Sequence, residues 1–80
     1  MREVIVGKKY RHFKGKIMEV LYIGKDSETL KDLVIYKHID DDVIWVRNYD
    51  MFNSLVDKEK YPEVTQKYRF ELVYELWLRK

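Results

Sequence analysis

The sequence predicts an all-β fold, a small antiparallel β-barrel with one short helical turn. Three observations carry this. The apolar segments are short and rich in β-branched and aromatic residues, which suit a pleated, half-buried surface. The connections between them are too short for crossovers, so successive strands must run antiparallel. Finally, a chain of 80 residues cannot build two full sheets, so the meander is expected to curl on itself. One domain spanning residues 1–80 is the reading this length supports. Such a domain buries only about 60% of its unfolded surface, so modest stability is expected. An apolar fraction of 46%, with 2 Trp, 7 Tyr and 3 Phe, is enough for a core and argues against disorder.

The elements follow in order. Residues 10–13 form the first expected strand. Lys14-Gly15-Lys16 is a turn in which Gly15 supplies the positive φ that a tight hairpin needs. The second strand covers residues 17–23, and a polar loop at 25–29 leads to the third, at 33–39. Asp40-Asp41-Asp42 is a turn whose side chains can bond their own backbone. The fourth strand is 43–47, with Ile44-Trp45-Val46 at its centre. Asp50, Met51, Phe52 and Leu55 suggest one turn of helix within 48–55, with Met51 and Phe52 plugging the barrel end. A charged loop at 57–60 is closed by Pro62. From Tyr68 onward the apolar residues fit both a period of two and a helical stripe, so a strand is expected through about Val73 and the last residues stay open.

Composition narrows the function classes. There are no cysteines, which excludes a disulfide-stapled scaffold and a thiolate zinc site. The only histidines, His12 and His38, lack ligand spacing, so no metal is expected. Ser27, Glu28 and His12 form no recognisable catalytic motif, and three dispersed glycines make no phosphate cradle. A non-enzyme without catalytic residues or cofactor is the expectation. No apolar run approaches the ~20 residues of a spanning helix, and the N-terminus is too polar for a signal peptide. A cytoplasmic protein without membrane contact is therefore expected. Charge runs +5, −5 and +2 through residues 1–25, 26–57 and 58–80, a pattern whose fields a barrel would largely cancel by interleaving the segments.

A resemblance adds to this reading. Gly7, then Tyr10-Arg11-His12-Phe13-Lys14-Gly15, Ser27-Glu28-Thr29, Val34-Ile35-Tyr36, Trp45-Val46-Arg47 with Met51-Phe52, and Tyr68-Arg69-Phe70 are similar, in order and spacing, to motifs of the domain of unknown function 1653 family. The similarity covers residues 7–73, leaving 74–80 as an extension. It implies a small SH3-like barrel and says little about activity. Asp26, Asn48, Met18 and His38-Ile39-Asp40 depart from the family's usual residues, so a site using the family's loop histidine would lack it here.

Alternation selects a candidate ligand-binding patch. Trp45 and Arg47 share one strand face, and Ile44 and Val46 share the other. With Ile44 and Val46 taken as the core pair, Trp45 and Arg47 point outward, the composition of a binding hot spot. With Phe13 taken as core, Tyr10 and His12 also point outward. The expected site is thus Tyr10, His12, Trp45 and Arg47, serving protein or peptide recognition. Against it stand two plainer expectations, Trp45 capped by the 48–55 turn and Arg47 paired with an aspartate. Binding of single-stranded nucleic acid through the basic-aromatic segment 8–16 is the alternative, and a small-molecule binder or enzyme using His12 is the second. The apolar residues Tyr74, Leu76, Trp77 and Leu78 suggest that the tail packs back or builds a homodimer.

Overall fold

Short segments that alternate between buried and exposed side chains pair into one antiparallel sheet. The computed structural model of the chain describes residues 2–74. Its strands are β1 (Lys9–His12), β2 (Ile17–Lys25), β3 (Asp32–His38), β4 (Ile44–Asn48) and β5 (Phe70–Leu72), and the single helix α1 is Tyr49–Phe52. The sheet order is β4-β3-β2-β1-β5. Every pairing is antiparallel, as the short turns require. β4 and β5 lie at the two edges and do not pair with each other; an isolated bridge, Leu55 to Tyr68, joins the segment after α1 to the one before β5. The all-β expectation holds, with the tail residue Tyr74 exposed and residues 75–80, where packing or dimerisation was expected, outside the described part. Among the described residues no helix is long and apolar enough to cross a membrane.

Local chemistry sets the breaks. Gly15 sits at φ 106°, a left-handed conformation that costs a Cβ-bearing residue about 1–2 kcal/mol. In the β2–β3 loop Asp26 accepts from the Glu28 and Thr29 amides at 2.8 and 3.2 Å, and the Thr29 hydroxyl accepts from the Lys31 amide at 3.3 Å. Asp41 accepts from the Val43 amide at 2.9 Å, the self-bonding expected of the triple-aspartate turn. Asn48 caps α1, its side-chain oxygen accepting from Asp50 and Met51 amides.

Leu30 is the one described non-glycine residue at positive φ, 63°, and it is exposed. Its Cβ therefore strains the loop without packing in return. Leu30→Asn, which keeps the loop conformation at lower steric cost, is expected to stabilise the protein by about 1 kcal/mol. A urea midpoint that does not rise would show the strain to be absent.

The core lies on one sheet face, under α1 and the N-terminal arm. It comprises Tyr10, Met18, Val20, Val34, Tyr36, Phe52 and Phe70, with Val4 from the arm. The arm is held by two tyrosine hydroxyls: Tyr49 accepts from the Val4 amide at 2.8 Å and Tyr10 from the Ile5 amide at 2.9 Å. Phe52 is fully buried as expected, whereas Met51 remains half exposed and plugs nothing.

The core face differs from the one alternation suggested. Tyr10 is 3% exposed, so it leaves the candidate surface patch; its ring is needed against Phe52 (5.5 Å between centroids) and burial raises its hydroxyl pKa. Phe13 is only half-buried. Ile44 and Val46 are 52% and 59% exposed on the outer face, not the core pair. The ladder explains this. Partners directly opposite in a sheet share a face, and Trp45 and Arg47 lie opposite the buried Tyr36 and Val34.

Candidate functional site

One end of the sheet leaves its core face uncovered. The β1–β2 and β3–β4 turns meet there, so His12 at the end of β1, Met18 at the start of β2, His38 at the end of β3 and Trp45 at the start of β4 come together. They line an open cleft of about 280 Å³ with Lys14, Lys16, Tyr36, Arg47 and Phe70. Three of the four residues expected from sequence, His12, Trp45 and Arg47, thus converge; Tyr10 lies beneath in the core.

Each group has a definite setting. The Trp45 ring stacks on His38, centroids 5.7 Å apart at 29°, and keeps 45% exposure. Arg47 donates from Nε to the Tyr36 hydroxyl at 3.4 Å, and its guanidinium carbon lies 5.7 Å from the Phe70 centroid. Among the described residues it forms no ion pair, so the expected aspartate partner is missing. Lys16 pairs with Asp40 at 3.0 Å, and Asp41 approaches His38 at 3.7 Å. The Lys16 bond holds Asp40 below the usual carboxylate range.

His12 is wedged between Phe13, stacked at 4.4 Å, and Phe70, edge-on at 5.0 Å. Its Nδ1 accepts from the Lys14 amide at 3.1 Å, which leaves the proton of the neutral ring on Nε2. Burial first, then the charges of Arg47, Arg69 and Lys14, lower its pKa from 6.5 to about 4. The folded pKa lies below the unfolded one, so acid favours the unfolded chain. His12's contribution to stability is complete above pH 6.5 and is lost as pH falls towards about 4. After discounting for partial exposure, a loss of about 1–2 kcal/mol is expected. Urea midpoints at neutral and at acidic pH check this. His12→Gln should remove that part of the slope, and an unaltered slope in the variant would assign it to the carboxylates.

Sequence reasoning missed His38 and the floor of Met18, Tyr36 and Phe70. The signal was present in β3, where Val34, Tyr36 and His38 alternate on one face and the hairpin sets Tyr36 opposite Trp45. Ser27 is on the β2–β3 loop, at the opposite end of the sheet from His12. Among the described residues no group of three or more His, Cys, Asp or Glu could hold a metal ion.

Sheet and cleft together define a small antiparallel β-sheet protein with a cationic, aromatic recess at one end. The chain belongs to the family described as "Protein of unknown function (DUF1653)", whose model matches residues 8–72. Comparison with curated proteins and with solved structures gives no match.

Proposed function

We propose that the protein is a non-catalytic binding module that recognises a protein or peptide partner through the cleft. The convergence of His12, Trp45 and Arg47 over an apolar floor carries this reading. Trp and Arg are among the residue types most enriched where a few contacts carry the binding energy. The fold, under this proposal, is an SH3-like barrel in which the recess between two turns does the recognising. The proposal also puts the protein in the cytoplasm, with which its cysteine-free composition is compatible.

The test is Trp45→Ala. With 45% of its surface in water, Trp45 should contribute less to folding than a core Trp, so the variant is expected to lose about 1–2 kcal/mol of stability. Binding of a partner should weaken by about 2 kcal/mol or more. A melting loss on the scale of a core Trp, about 3–5 kcal/mol, would make Trp45 structural and refute its role as an anchor.

A further inference from the structure

The rim of the cleft carries both signs of charge in separate places. At the β3–β4 turn, Asp40 and Asp41 already engage Lys16 and His38. Lys14 and Arg47 have no carboxylate partner among the described residues. Arg47 is half-buried among rings, where a guanidinium loses hydration and gains most from an anion. Its planar fork also fits a carboxylate with two parallel hydrogen bonds. The neutral His12 ring adds a donor at Nε2. The recess, at about 280 Å³, has room for one side chain or ring.

Resting on the binding-module reading, we propose the occupant's class. The cleft seats one apolar or aromatic side chain of a peptide, and a carboxylate on the adjacent residue of that peptide is held by Arg47 and Lys14. Charge complementarity favours a peptide over a nucleic acid strand. A strand carries a phosphate at every nucleotide and would run past Asp40, Asp41 and Asp42 at the cleft's end. A peptide places a single anion where the unpaired cations are.

The full chain, labelled with ¹⁵N, is titrated with three probes: the capped peptide Ser-Glu-Phe-Ser, its isostere Ser-Gln-Phe-Ser, and an eight-nucleotide oligothymidine. The Glu peptide is expected to shift the signals of His12, His38, Trp45 and Arg47. The Gln peptide should bind about 5–10-fold more weakly, the scale of one charge-assisted hydrogen-bonded pair. In Arg47→Gln the preference for the Glu peptide over the Gln peptide should shrink severalfold, with Lys14 left as the remaining cation. Equal binding of the two peptides, or stronger shifts of the same residues by the oligonucleotide, overturns the carboxylate assignment and leaves the binding-module reading standing. If no probe moves the cleft signals, the binding-module reading fails and takes the assignment with it. Should Arg47→Gln fail to fold, the Glu and Gln peptides on the wild-type protein decide alone.

Discussion

Phe52→Ala is expected to leave the protein marginally folded or unfolded at room temperature. Phe52 is fully buried and lies flat on Phe70, with centroids 4.0 Å apart and planes 3° from parallel. The edges of Tyr10 and Tyr36 close on it at 5.5 Å each. Removing a buried Phe costs about 3–5 kcal/mol, because the cavity left behind collapses only partly. A domain of this length has roughly 4–12 kcal/mol in total, from about 0.05–0.15 per residue. The loss is thus a large share of the whole, and a melting temperature lower by well over 10 °C is expected. Met51→Ala, one residue earlier on the same helix and half exposed, is the control and should change little. Calorimetry on both variants checks this. A Phe52→Ala protein melting within a few degrees of wild type would mean that α1 is not the lid of the core.

Gln66→Leu is expected to cost about 2–6 kcal/mol, from two carbonyls that lose their donor at about 1–3 each. Gln66 is the one buried polar residue among the described ones, 9% exposed. Its side-chain amide donates to the Arg11 and Tyr68 carbonyls, both at 2.9 Å, and its oxygen accepts from Arg11 Nε at 3.2 Å. The Lys58 ammonium donates to the Gln66 carbonyl at 2.8 Å and also bonds the Val64 carbonyl. The two bonds with Arg11 fasten the irregular segment between α1 and β5 to β1, and the others brace that segment internally. Leu fills the same space with no donor, which isolates the hydrogen bonds from the packing. Hydrogen exchange should quicken first in residues 56–69. Unchanged exchange and an unchanged urea midpoint would mean that water satisfies those carbonyls equally well.

Much of this architecture is local and was legible in the chain. Gly15, the triple aspartate and the polar stretch after Lys25 fall at turns, and the β-branched runs between them are strands. The strand ends move by only a residue or two. Gln66 gave no local signal, because a glutamine in a polar loop looks solvated until the loop folds back over Arg11.

The site was legible in part, for a reason that lies in the geometry of strands. Alternation separates Trp45 and Arg47 from Ile44 and Val46, and it does so correctly. It cannot say which set faces the core, because the period of two is symmetric between the faces of a sheet. Ile44 and Val46 are the more apolar pair, which made them the natural choice, yet they lie on the uncovered outer face.

The sequence by itself determined the strands, the antiparallel run of consecutive hairpins, the turns and the helical turn, because each depends on residues near one another in the chain; the seat of β5 beside β1 is a long-range contact. Only the tertiary structure decided which face is covered. That choice belongs to α1 and the N-terminal arm, which bring Phe52, Tyr49 and Val4 onto Tyr10, Tyr36 and Phe70 from far along the chain. Burying those rings fixes the inner face, and the same alternation then carries His12, His38, Trp45 and Arg47 past the edge of the core, where they form a cleft instead of an outward patch.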